Sequence, residues 1–229
     1  MPPLHRDIVR VAMWSGPRNL STAMMRSWEN RPDSFVVDEP LYAHYLLRTG
    51  KEHPMAAEVI AAGPTEWSDI VTWLTEGQPE GASIFFQKHM AHHLLAGMDR
   101  RWIDQLTSCL LIRDPAEMIA SYIAKNEDPA IEDLGLPQLR EIYDRVRQRT
   151  GQAPPITDAR DLLVNPRGIL ERICAAVGVS FHESMLRWPP GRRETDGVWA
   201  PHWYDRVERS TGFKADRPRD VKLPARLTP

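Results

Sequence analysis

The sequence predicts a single α/β domain built on a parallel sheet of about five strands. Three observations carry that prediction. Short, β-rich apolar runs alternate with segments of helical periodicity along most of the chain. Two of the helices open on well-marked caps. The first apolar run, "IVRVAM", leads straight into the glycine-containing turn of "MWSGPRNLST" and then a helix, which is the layout of a phosphate-binding loop.

In chain order, the expected strands are Ile8–Met13, Ser34–Val37, Ser83–Phe86, Ser108–Ile112 and, on a weaker signal, Ile156 with its neighbours. Helix-like segments lie between them at Ser21–Glu29, Leu41–Arg48, Pro54–Ala61, Thr65–Thr75, Pro115–Lys125 and Leu136–Arg149. Strands separated by helices imply βαβ units and a parallel sheet, whose ligands sit beyond the carboxyl ends of the strands. In "RDPAEMIASY", Asp114 is the N-cap, Pro115 the first helical residue and Glu117 the third, a capping-box arrangement. "VNPRGILERICAAVG" repeats the device with Asn165 and Pro166. Ile169, Leu170, Ile173, Cys174 and Val177 then share one apolar face, and Gly178 closes the helix. Beyond Leu186 the pattern stops. Five prolines (189, 190, 201, 218 and 224) break it, while Trp188, Trp199, Trp203, Tyr204 and Phe213 offer anchors. Residues 187–229 are therefore expected to form an irregular wrap or lid on a domain spanning 1–229.

Composition narrows the function classes. No apolar run approaches the roughly 20 residues needed to cross a bilayer, and "MPPLHRD" lacks the apolar centre of a signal peptide. Cys109 and Cys174 read as reduced core residues of a cytoplasmic protein. The net charge of −2 hides an asymmetry: from Arg187 onward there are ten Lys and Arg against six Asp and Glu, which leaves −6 on the rest. A basic, aromatic-rich end on an acidic chain fits either a local anion site or a solvated tail, and it argues against a nucleic-acid surface.

The opening loop is not an ATP loop. Counting from Gly16, the places of the Gly-Lys-[Ser/Thr] signature hold Ser21, Thr22 and Ala23, so the lysine and the magnesium-binding hydroxyl are missing. The turn still carries what an anion needs. The backbone N–H groups of Asn19, Leu20, Ser21 and Thr22 open a helix, Ser21 and Thr22 add hydroxyls, and Arg18 adds a fixed charge. A second constellation lies in "CLLIRDPAEMIASYIAK". There Arg113 ends an apolar strand and Ser121 follows eight residues later on the next helix, where both can reach one anion.

Together these residues resemble the sulfotransferases that use PAPS (3′-phosphoadenosine 5′-phosphosulfate). "PRNLST", Pro17 to Thr22, is similar to their 5′-phosphosulfate loop Pro-Lys-Ser-Gly-Thr-Thr, with Arg18 in the lysine's place. Arg113 and Ser121 match their 3′-phosphate motif. "DARDLLVNPRGILERICAAVGVSF" resembles a later segment of the family, and "VDEPLY" its carbohydrate-type Glu-Pro motif. The resemblance runs from about Ile8 to Phe181. It implies a P-loop-type, three-layer α/β/α fold and metal-free sulfuryl transfer from PAPS to a hydroxyl or amine of a small-molecule or sugar-like acceptor. Arg18 would meet the charge developing on the leaving phosphate. Arg113 and Ser121 would hold the 3′-phosphate, and Lys214 in "STGFK" would join them, with Arg192 and Arg193 as competitors. Two positions depart from the family: Arg18 itself, and Ala159 where a tyrosine often stands near the adenine.

The acceptor must lose a proton, so a base is expected. "FFQKHMAHHLL" offers Lys88, which matches a family lysine, and His89, His92 and His93. His89 and Glu39 stand level as base candidates, with His92 and His93 behind them. The HxxHH spacing also raises a metal site, but no Cys or Glu lies near to complete it. Two rival classes remain: a non-catalytic nucleotide-binding relative and an ATP-dependent small-molecule kinase. The sequence fixes no oligomeric state.

Overall fold

The computed structural model describes residues 8–124, 129–214 and 223. Lys125, at the end of one expected helix, and residues 215–222 and 224–229 of the expected wrap lie outside the described residues. β1 (Val9–Ser15), β2 (Ser34–Asp38), β3 (Ile84–Met90), β4 (Thr107–Ile112) and β5 (Ile156–Asp158) pair in parallel in the order β2-β3-β1-β4-β5. The helices are α1 (Ser21–Glu29), α2 (Tyr42–Thr49), α3 (Ala56–Ala62), α4 (Trp67–Glu76), α5 (Pro115–Ile123), α6 (Leu136–Thr150), α7 (Ala159–Val164), α8 (Pro166–Ala176), α9 (Ala200–Trp203) and α10 (Asp205–Glu208). No helix among the described residues is long and apolar enough to cross a membrane.

Alternation along the strands places a core on each face of the sheet, because successive side chains point to opposite sides. Val11 and Met13 of β1 join Phe86, Leu111, Met24, Trp28 and Leu170 on the face covered by α1 and α8. Ala12 and Trp14 join Phe85, Leu110, Leu74, Leu139 and Ile142 on the face covered by α4 and α6. This is a three-layer α/β/α arrangement. Burying each large side chain contributes about 1.5–3 kcal/mol, so strands buried on both faces need no polar alternation.

Most expected elements lie within a residue or two of their sequence bounds. β3 is the exception that matters, since it continues to Met90 instead of stopping at Phe86. Lys88 and His89 are therefore strand neighbours and must point to opposite faces. The two caps form as expected: Asp114 Oδ1 accepts from the Glu117 N–H at 3.0 Å, and Asn165 Oδ1 from the Gly168 N–H at 3.1 Å. The Glu117 carboxylate does not close the box; it turns to Arg113 and Arg160 instead.

Residues 187–214 fold back over the body. Arg187 bridges to Gly212, and the buried Arg26 of α1 holds Asp196 at 2.6 Å. Trp199, Ala200 and Tyr204 pack on Tyr42, Tyr45 and Leu46 of α2. This contact brings the two ends of the chain's chemistry together.

Candidate active site

A cleft of about 530 Å³ opens at the carboxyl ends of β2, β3, β1 and β4, roofed by α9 and α10. The β1–α1 loop forms one wall. A Cβ on Gly16 would lie 2.6 Å from the Leu134 carbonyl oxygen and 3.0 Å from Met118 Sδ, so only glycine fits there. Arg18 and Leu20 take left-handed backbone angles, φ 63° and 65°, an arrangement rare for residues with side chains and typical of functional loops. Asn19 Nδ2–H donates to the Leu111 carbonyl at 3.3 Å, and Arg113 Nη1–H to the Arg18 carbonyl at 3.0 Å. These bonds hold the turn in place. The residue before α1, Leu20, provides no side-chain cap, so the first N–H groups of the helix face the cleft unfilled by the protein's own cap.

Cations gather at this wall. Arg18 Nε–H donates to Ser121 Oγ at 3.2 Å, and Arg113, Arg206 and Lys214 line the same cleft, as do Ser21 and Thr22. Burial, then Arg206 and Arg113, lower the proton affinity of Arg18, while Asp205 works the other way. Like charges held together in a partly buried cleft are a site for an anion. Arg193 instead donates to the Pro189 carbonyl, and neither it nor Arg192 lines the cleft.

The opposite wall, over β2 and β3, carries the reverse charge. Lys88 Nζ donates to Asp38 Oδ1 at 2.7 Å, Glu39 Oε1 at 2.6 Å and the Tyr204 hydroxyl at 2.8 Å. The Tyr204 hydroxyl donates to Asp38 Oδ2 at 2.6 Å and accepts from Trp199 Nε1–H at 3.1 Å. Burial opposes the Lys88 charge, yet Asp38 and Glu39 hold it well above its usual range. Lys88 is thus a fixed cation and unfit to take a proton. Glu39, at φ 44°, is pushed up by burial and by Asp38 against the pull of Lys88, which suits a carboxylate meant to accept a proton.

The histidines separate. His89 points away from the cleft: it stacks on Trp14 at 4.1 Å, bonds Gln87 Oε1 at 3.2 Å, and burial pushes it down to about 3. The expectation that His89 could be the base is corrected here, because the longer β3 aims it into the opposite core. His92 and His93 do line the cleft. Burial holds His92 down at about 3 and His93 well below its usual value, so both are neutral, and neither Nδ1 has a partner among the described residues. Tyr42 stacks on His93 at 4.8 Å and its hydroxyl meets His53 Nδ1 at 2.9 Å. Among the described residues no group of three or more metal-ligating side chains converges.

Sequence reasoning missed Asp38, Tyr204, Arg206, Tyr42 and His53 as site residues. Asp38 carried a signal, being an acid at the end of a strand beside Glu39. Tyr204 carried only the signal of an aromatic anchor and Arg206 only that of a basic chain end, because the return of the wrap is what brings them in.

A parallel sheet in this strand order, with a phosphate-type turn after β1 and a second cation after β4, defines an α/β protein with a cationic cleft suited to an anion. The family match names the class. Residues 9–224 match the family described as "Sulfotransferase domain", and the chain belongs to the sulfotransferase family. Two solved structures share the fold. The sulfotransferase domain from the Synechococcus PCC 7002 olefin synthase has a TM-score of 0.65 at 21% identity, covering 100% of this chain and 94% of that one. The sulfotransferase domain from the curacin biosynthetic pathway has a TM-score of 0.58 at 15% identity, covering 97% and 94%. Among curated proteins, the chain is 36% identical over 213 residues to "Branched-chain-amino-acid aminotransferase-like protein 1" of Arabidopsis thaliana, and 35% identical over 202 residues to its "protein 2". These alignments cover 92% and 88% of this chain but only 38% and 36% of the relatives, so the chain spans under two fifths of their length.

Proposed function

We propose that the protein transfers a sulfuryl group from PAPS to a hydroxyl, or an amine, of a small ring-bearing or sugar-like acceptor. The observation that carries this reading is the division of charge along one cleft, with arginines at the ends of β1 and β4 facing the two carboxylates at the end of β2, which are paired to Lys88 of β3. A donor phosphorylated at both ends needs two anion contacts, which the uncapped start of α1 and the Arg113 and Ser121 side chains lining the same cleft can supply. PAPS, when bound, provides the sulfuryl group and the phosphate it departs from.

The chain's own residues supply the rest. The N–H groups and hydroxyls of Ser21 and Thr22 bind one phosphate, and Arg18 neutralises charge growing on it. Arg113, Ser121 and Lys214 bind the other. Glu39 takes the acceptor's proton at its second carboxylate oxygen, while Lys88 fixes the first. Trp199, Trp203 and Tyr204 close the cleft against water and offer apolar faces to the acceptor.

Calorimetry with PAP (adenosine 3′,5′-bisphosphate) and transfer from labelled PAPS test the proposal. Saturable PAP binding without magnesium, followed by labelled product, is the expected result. Binding of ATP with magnesium in preference to PAP would overturn it. PAP binding with no transfer to any hydroxyl or amine would mark a binding module instead of an enzyme.

A further inference from the structure

Two carboxylates share one ammonium at the base end of the cleft, and a third residue from the far end of the chain arbitrates between them. Lys88 bonds Asp38 at 2.7 Å and Glu39 at 2.6 Å. Tyr204 donates to the other oxygen of Asp38 at 2.6 Å and accepts from Lys88 at 2.8 Å. Asp38 is therefore satisfied at both oxygens, and it leaves part of the Lys88 ammonium for Glu39. Trp199 Nε1–H fixes the tyrosine hydroxyl from behind at 3.1 Å. We propose that Asp38 and Tyr204 are positioning residues that apportion Lys88 between the two carboxylates, so that Glu39 is poised to take a proton only when the C-terminal wrap is seated. The inference rests on Glu39 being the base in the reading above.

The logic is one of competition for a single buried cation. Without the Tyr204 hydroxyl, Asp38 Oδ2 is stranded in a buried site and draws Lys88 toward itself. Glu39 then loses its cation and holds a proton more tightly. Without the Asp38 charge, Lys88 belongs wholly to Glu39, which then releases its proton more easily. The two changes push Glu39 in opposite directions, which a merely structural contact would not do. The titratable groups that surround Glu39 are Asp38 beside it, Lys88 on β3, Tyr42 on α2, Tyr204 on the wrap, and the cleft-lining His53, His92 and His93. Burial lowers the proton affinity of all three histidines, and the charges acting on Glu39 are those of Lys88 and Asp38.

The test is Tyr204→Phe and Asp38→Asn in the full chain, each read two ways. The Glu39 carboxyl is titrated by carbon NMR with labelled glutamate, and kcat/KM is followed against pH with PAPS. In Tyr204→Phe the Glu39 titration and the acid limb of the profile are expected to move up by about one pH unit, a shift worth tenfold in ionisation. In Asp38→Asn both move down by a similar amount. PAP affinity, measured in parallel, should change less than twofold in either variant, since neither residue lies on the cation wall. Shifts in the same direction, or an unmoved Glu39 titration in both folded variants, would overturn the proposal. Failure of the base reading is distinct: Glu39→Gln would retain full transfer, even if the NMR shifts appeared.

Discussion

Replacing Lys88 by Met keeps most of the side-chain volume and deletes the charge on which the carboxylate wall depends. Lys88 and Asp38 are 1% and 2% exposed at the side chain and Glu39 is 12% exposed, so two carboxylates would face each other with almost no solvent between them. Removing one partner of a buried ion pair costs about 3–5 kcal/mol. For a chain of this size each kcal/mol lowers the melting midpoint by about 2–4 °C, which gives an expected fall of about 6–20 °C at neutral pH. The pH dependence follows from the sign. Without the ammonium, the folded-state carboxyls bind protons more tightly than their unfolded values of about 4. The folded variant then holds protons that the unfolded chain has released, so its deficit grows as pH rises through that window and shrinks toward pH 5 or below. Urea unfolding of both proteins at about pH 5 and at neutral pH, with unchanged m, measures this directly. A variant that unfolds with the wild type, or whose deficit is the same at both pH values, would refute the reasoning.

Three further outcomes follow from the same geometry. Arg113→Ala removes a charge-assisted contact worth about 1.5–3 kcal/mol and the bond that pins the Arg18 carbonyl. PAP affinity should therefore fall about 10- to 150-fold by calorimetry, whereas an ATP-type site would be indifferent to the change. Gly16→Ala drives a methyl to 2.6 Å from a backbone oxygen, while Gly97→Ala meets nothing within 4 Å. The first should cost about 1–3 kcal/mol and weaken PAP binding, and the second should match wild type in both assays. Arg26→Ala takes the cation from Asp196, whose buried side chain then keeps its bond from the Arg193 N–H without charge compensation from Arg26. Limited proteolysis should then cut the wrap between α8 and Lys214 at denaturant levels where the sheet remains protected, and an intact wrap would argue against that latch.

The legible part of this protein was its local part. Each strand could be read as an apolar run, and the caps at Asp114 and Asn165 gave helix starts that the structure keeps, because such signals lie within a few residues of one another. Arg18 in one strand–turn–helix unit and the Arg113–Ser121 spacing in another were each legible locally, and the sheet brings the two units together in the structure. His89 was misread for a related reason. Sequence ended β3 at Phe86, and two more turns of the pleat decide whether a side chain enters the cleft or the core. Tyr204 was legible only as an apolar anchor. Its bond to Asp38 spans 166 residues of chain, and no periodicity reports a contact of that kind.

The arginine in place of the family's lysine now has a physical account. Position 18 is partly buried and faces Arg113 and Arg206, each of which makes a positive charge there harder to keep. Burial and these arginines would lower the proton affinity of a lysine there as well, against the pull of Asp205, whereas a guanidinium holds its charge more firmly under the same pressure. The protein's buried lysine stands where the opposite condition holds, between Asp38 and Glu39, which keep it protonated. Strand order makes this division possible, since β1 and β4 bring the arginines to one side of the cleft, while β2 brings the carboxylates and β3 their lysine to the other. On the reading proposed above, an arginine keeps the charge of this wall insensitive to pH while proton transfer falls to Glu39 on the other wall. Arg18→Lys consequently predicts a pH-dependent loss: PAP binding should lie nearest wild type in acid and weaken toward alkaline pH, and a variant whose binding tracks wild type at every pH would sink the account.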